Sequence, residues 1–446
     1  MALTVAKVVG QFKADVGRAL SAQCIVQVCR DLGHTFRKRV FDPVTLIHTF
    51  LIQILHGNIA CTALPHLTGK LFSATAYVNA RMRLPLAVFG ELLKRVVERL
   101  LPAPSATGLW RGHRTWLLDG SSFSMPDEVV LQKHFGQPGN QRPGCGFPVA
   151  HILALFDATT GFLQRVLAAP LRTHDMAHAA SLHPEMGEGD VLVADRGLAS
   201  FAHLALIFLR KCHAVFRAHQ RQIVNFRRGR RSTNQYKPRA GLPRSRWLKR
   251  LGRHDQLVEY TKPKSRPTWM SQAEYDKLPR QLVVRELRFT ITRPGRRTRV
   301  ITLVTTLLDP IRYPATALAD LYEQRWQVET NLRHLKTTMK MEILHCQTVQ
   351  GVLKELAMFA LAYNLVRLVM IEASSRQNVP LDRISFIDAL RWLRTAKPGE
   401  PLPDLIVNPH RPDRFEPRVV KRRPKEYDRM TKPRAQLRET LFNQTT

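Results

Sequence analysis

Between Arg114 and Phe216 the chain breaks into apolar runs of three to eight residues, which is strand length and too short for helices. The runs are Thr115–Leu118, Val149–Phe156, Phe162–Ala169, Val191–Ala194 and Ala214–Phe216, with helical patterns near 176–183 and 200–210 between the later ones. Strands in sequence, followed by strand–helix–strand, predict an α/β fold built on a mixed sheet with helices on its faces. Two of the runs lead straight into an acid: Trp116-Leu-Leu-Asp119-Gly-Ser-Ser and Asp190-Val-Leu-Val-Ala-Asp195-Arg196-Gly197. Taken singly, each reads as a strand-end aspartate closing a turn.

The flanks differ in character. Residues 1–105 read as a helical region, with Asp42-Pro43 as a helix start and a second amphipathic run over Leu84–Leu101. Leu101-Pro-Ala-Pro-Ser-Ala-Thr-Gly is a linker to the region over 106–375. Within that region, about 217–310 reads as a basic, mostly β insertion, with strand-like runs at 281–292 and 298–307. Thr316 opens one long helix through Lys336, and a buried helix follows over about 350–374. The C-terminal region, 376–446, turns basic and proline-rich from 410 onward, which suits a DNA-clinging or disordered arm.

Charge narrows the partner. The chain has 69 Lys and Arg against 35 Asp and Glu, a net charge of +34. Such an excess repels itself in a compact fold unless a polyanion is bound, and nucleic acid rewards many cations through counterion release. Fifteen Lys or Arg fall within 210–253, and no acid occurs between Asp195 and Asp255. The six cysteines are scattered without a C-x-x-C pair, which argues against a zinc module or disulfide scaffold and fits a reducing compartment. The stretch Leu356–Ile371 carries Tyr363, Asn364 and Arg367 and is too polar to span a bilayer. The N-terminus lacks a signal-peptide layout, so a cytoplasmic, nucleoid-associated protein with no membrane partner is expected.

One further segment carries the chemistry. In Tyr322-Glu-Gln-Arg325-Trp-Gln-Val-Glu329-Thr-Asn-Leu-Arg-His-Leu-Lys336, four side chains fall on one helical stripe. At about 100° per residue, Arg325, Glu329 and Lys336 lie roughly −60°, −20° and −40° from Tyr322. Glu323 and Asp320 point well away from it, and Asp127 and Asp157 sit in turn contexts. With Asp119 and Asp195, Glu329 makes a set of three carboxylates. Such a set binds two Mg²⁺ through hard oxygens, with Mn²⁺ also accepted. Two ions roughly 4 Å apart would serve an in-line phosphoryl transfer, with the neighbouring cations on DNA phosphates.

These blocks resemble the DDE transposases of the IS4 family, the group that includes the Tn5 and Tn10 transposases. Tyr322, Arg325, Glu329 and Lys336 match that family's Y-(2)-R-(3)-E-(6)-K signature at every position. Leu118-Asp119-Gly-Ser-Ser-Phe and Ala194-Asp195-Arg196-Gly197 look like its first and second acid blocks, and the resemblance covers roughly 114–374. It implies an RNase H-like core interrupted by a mostly β insertion, and cleavage at terminal inverted repeats followed by joining to target DNA. By the same resemblance Asp119, Asp195 and Glu329 would hold the metals, and Tyr322, Arg325, Lys336 and Arg196 would contact DNA. The N-terminal helices would recognise the repeats, and a homodimer would bring two ends together. Trp247 and Trp269, the insertion's tryptophans, match no family block that would assign a DNA hairpin step. Two alternatives stay open on sequence alone, a DNA-binding relic without catalysis and a nuclease of the same fold that cuts without joining.

Overall fold

The computed structural model describes residues 4–37, 39–101, 108–138, 146–171, 175–230, 242–291 and 299–409, with a few positions beyond 431. The expected linker at 101–108 and the basic tail from 410 lie almost wholly outside the described residues. Seven helices open the chain: α1 (Thr4–Phe12), α2 (Ala14–Ala19), α3 (Ala22–Asp31), α4 (Pro43–Leu55), α5 (Leu64–Thr68), α6 (Ala74–Arg83) and α7 (Leu86–Leu100). The start of α4 is the expected one. Pro43 occupies its first turn, and the Thr45 amide donates to Asp42 Oδ1 across 2.7 Å.

The middle of the chain runs β1 (Thr115–Ser124), α8 (Val129–Phe135), β2 (Val149–Asp157), β3 (Leu163–Pro170), α9 (Asp175–Ala179), β4 (Val191–Ala194), α10 (Phe201–Leu209) and β5 (His213–Arg217). Then come β6 (Arg244–Gly252), β7 (Asp255–Thr261), α11 (Gln272–Lys277), β8 (Gln281–Ile291) and β9 (Arg299–Thr305). The described strands form one nine-stranded sheet in the order β3-β2-β1-β4-β5-β9-β8-β7-β6. β1 is antiparallel to β2 and parallel to β4, and β4 is parallel to β5, so the mixed α/β sheet expected from the apolar runs is present.

The sheet differs from the sequence expectation at several points. β1 does not stop at Leu118. It continues through Ser124, because β2 is long enough to pair with it from Trp116↔Asp157 to Ser124↔Val149, so Asp119 is a mid-strand residue opposite Ala154. The insertion has two strands more than expected, β6 and β7. β6 hides its strand character because it is an exposed, cation-rich edge; such charges block pairing with other chains. The insertion also extends the sheet, since β9 pairs with β5 through Val215↔Thr305, Phe216↔Val304 and Arg217↔Leu303.

The expected long helix from Thr316 is broken. It divides into α12 (Ala315–Glu323) and α13 (Trp326–Arg333), followed by a π-helical turn over His334–Thr338. At the break the Arg325 amide bonds to the Tyr322 carbonyl and Val328 to Arg325, a tighter three-residue winding. Two helices follow: α14 (Val349–Gln377) and α15 (Phe386–Thr395).

Side chains alternate across the sheet and so feed two cores. Leu117, Val191, Val193 and Val215 join Tyr322, Val328 and residues of the N-terminal helices, α14 and α15 on one face. Trp116, Leu118, Leu192, Ala194, Ala214 and Phe216 join α10 and the insertion's Val258, Tyr260 and Val284 on the other. α14 is long and apolar enough to cross a membrane, but 83% of its most apolar window is buried inside the protein. Its polar residues serve the sheet. Asn364 accepts from the Leu163 amide at 2.8 Å and donates to the Leu163 carbonyl at 2.9 Å, and Tyr363 donates to the Gly161 carbonyl at 3.0 Å. They satisfy backbone groups where the chain turns into the edge strand β3, which would otherwise be buried unpaired.

Candidate active site

The alternation that divides the cores also aims the acids. Asp119 shares parity with Leu117, and Asp195 with Val191 and Val193, so both face the layer holding α12 and α13. Because β1 and β4 are parallel neighbours with Leu118↔Ala194 in register, the residue after each, Asp119 and Asp195, emerges at the same level.

Arg325 and Tyr322 meet them there. Arg325 Nη1 lies 3.2 Å from Asp119 Oδ2 and Nη2 lies 3.1 Å from Glu329 Oε1, so one guanidinium bridges an acid of the sheet and an acid of α13. The forked, always-charged guanidinium reaches the two carboxylates with separate, rigidly spaced nitrogens, which the single ammonium of a lysine lacks. Tyr322 donates its hydroxyl to Asp195 Oδ1 at 3.1 Å. Burial, together with the Asp195 charge, pushes the Tyr322 phenol well above its ordinary value, so it stays protonated and donates.

Burial raises the Asp119 carboxyl above the ordinary range, Arg325 opposes that shift, and the Asp195 and Glu329 charges add to it. The three acids are therefore within electrostatic reach of one another. Among the described residues, no three His, Cys, Asp or Glu stand as a cluster that could hold a metal ion. Asp119 and Glu329 are each held by Arg325 instead. The donor chemistry still suits a hard divalent cation, since all three groups are carboxylates. Among the described hydrogen bonds, Asp195 Oδ2 and Glu329 Oε2 receive none.

The other sequence candidates lie further out. Lys336 falls in the π-helical turn. It lines a separate groove of about 490 Å³ with Gly57, Asn58, Ile59 and Lys340. Arg196 is exposed after β4 and donates to Gln220 Oε1 at 2.9 Å. Of the insertion's tryptophans, Trp269 stacks on His203 at 5.0 Å between centroids, and Trp247 is half-buried on β6. One residue at the acids was missed. Arg217 Nη1 lies 3.9 Å from Asp195 Oδ1. The signal was present, since Arg217 ends an apolar run beside β4 as Asp195 ends its own.

Sheet-borne acids bridged to a helical Y–R–E segment define a class, and sequence comparison agrees with it. Residues 110–365 match the family described as the transposase DDE domain. The chain belongs to that family and is a DNA transposase, an enzyme of metal-dependent DNA cleavage and strand transfer. Among individual relatives, it is 25% identical over 377 residues to transposase InsG for insertion sequence element IS4 of Escherichia coli (strain K12). That match covers 79% of this chain and 77% of the relative, in keeping with the IS4-type signature. It is also similar to the piggyBac transposase in a cryo-EM structure of its synaptic complex with hairpin DNA. There the TM-score is 0.44 at 10% identity, covering 85% of this chain and 79% of the other.

Proposed function

We propose that this transposase cuts DNA at the terminal inverted repeats of an insertion sequence and joins the ends to target DNA, using Asp119, Asp195 and Glu329 as its metal-binding acids. The observation that carries this reading is the Arg325 bridge between Asp119 and Glu329, with Tyr322 fixing Asp195 beside it. Residues far apart in sequence are linked there, Asp119 to Glu329 through Arg325 and Asp195 to the same helical segment through Tyr322. Bound there, two Mg²⁺, or Mn²⁺ in their place, would activate the attacking oxygen and neutralise charge on the leaving one.

The protein's own groups do the rest. Tyr322 orients Asp195 by donating to one oxygen and leaving the other open. Arg325 holds Asp119 and Glu329 in register and, with Lys336 and Arg196, supplies cations for DNA phosphates. The order β3-β2-β1-β4-β5, with the insertion placed before α12, supports an RNase H-like core over 106–375. We assign recognition of the repeats to the helices of 1–105, further DNA contact to 376–446, and pairing of two ends to a homodimer in the nucleoid.

The test is a cleavage and joining assay with Mg²⁺ on labelled DNA carrying the element's own ends. Wild type is compared with Asp119→Ala, Asp195→Ala and Glu329→Ala. Cutting and joining by wild type, lost in each variant while DNA binding persists, supports the assignment. Cutting without joining would point to a nuclease, and binding without cutting to a relic.

A further inference from the structure

Arg217 stands outside the Y-(2)-R-(3)-E-(6)-K signature, yet the sheet delivers it to the acids. With Ala194↔Phe216 in register, the residue after β4, Asp195, lies beside the last residue of β5, Arg217. Val215 belongs to the same core as Val193, so the alternation turns Arg217 and Asp195 toward the same face. The Arg217–Asp195 separation of 3.9 Å is longer than a charge-assisted hydrogen bond, about 2.7–2.9 Å, so the guanidinium is near the acid without being consumed by it. Its side chain is 30% exposed. Arg325, by contrast, is 8% exposed and has one arm on Asp119 and the other on Glu329. Of these two arginines, Arg217 is the more exposed. Arg196, Arg221, Arg227 and Arg228 are exposed as well.

We propose that Arg217 binds a DNA phosphodiester at the reacting centre, on the sheet side of the acids, while Arg325 serves the helix side. The proposal rests on the reading of Asp119, Asp195 and Glu329 as the metal-binding acids. The phosphate belongs either to the element's end or to target DNA, and two assay arms distinguish them.

Full-length Arg217→Gln and Arg217→Lys are compared with wild type in cutting an end-bearing duplex and in joining precut ends to a plasmid. Arg217→Gln should slow at least one arm by about 10²–10³-fold, as loss of one charge-stabilising donor does. Arg217→Lys should recover part of that loss. The salt dependence of DNA binding should become shallower by about one in log–log slope. Mn²⁺ affinity should be no weaker than in wild type. Loss in both arms assigns the phosphate to the end, and loss in joining alone assigns it to the target. Unchanged rates in both arms overturn the proposal. So does weaker Mn²⁺ binding at an unchanged salt slope, which would make Arg217 only a positioning residue for Asp195. Retained cutting by Asp195→Ala would overturn the reading of the acids instead, independently of Arg217.

Discussion

The Tyr322 hydroxyl donates to Asp195 Oδ1 across 3.1 Å, joining residues 127 positions apart in the chain. That bond ties the end of β4 to the last turn of α12, so the acid's orientation depends on a phenol that burial keeps protonated. A hydrogen bond to a charged group is worth about 1.5–3 kcal/mol. Tyr322→Phe should therefore slow single-turnover cutting about ten- to a hundredfold while leaving end binding intact. A rate within twofold of wild type would remove Tyr322 from the orientation of Asp195.

Arg325 bridges two acids with two arms, a geometry that a single ammonium cannot copy. Arg325→Lys should fail to restore what Arg325→Ala loses, with both at least about 100-fold slower in cutting. If the lysine variant cuts at near wild-type rate, charge alone suffices and the fork is irrelevant.

In the metal-free protein the Asp119 carboxyl should titrate above the usual aspartate value of about 3.9. Burial raises the Asp119 carboxyl, and its neighbouring acids add to the shift. As pH falls through a raised pKa, Asp119 takes up a proton earlier than an exposed carboxylate and loses the charge a cation requires. Titration of that carboxyl by NMR in the metal-free protein would show it, and an ordinary value would contradict the burial of Asp119 beside two other acids.

Arg285 is fully buried on β8. Its Nε donates to Asp255 Oδ1 at 2.8 Å and its Nη1 to the Tyr313 carbonyl at 2.6 Å, just ahead of α12. Arg285→Ala strands the Asp255 charge and should cost about 3–5 kcal/mol of stability. Chemical denaturation would register it as a lower midpoint. Because the same side chain holds the entrance to α12, cutting should fall as well, even at temperatures where the variant is folded.

Much of this arrangement was legible in the residues, and the exceptions have physical causes. Val191–Ala194 reads as a strand because four buried apolar residues between polar neighbours admit little else, and β4 has those bounds. β6 was not legible, because an edge strand covered in arginine and lysine lacks the apolar alternation of a half-buried one. The Tyr322, Arg325 and Glu329 stripe was drawn with uniform helical winding. The contact of Arg325 with Glu329 survives a tightened turn, and Lys336 falls in a slack one. Arg217 was hidden among the many cations of the insertion, and only its pairing partner in the sheet singles it out.

The seam between β5 and β9 consists of three residue pairs, and Arg217 is in the last of them. Those rungs lie one strand away from Asp195, and the basic meander also shares a core with α10 through Val258, Tyr260 and Val284. The meander is thus rooted beside the chemistry twice over, by a seam at the strand end next to Asp195 and by a shared core behind the sheet.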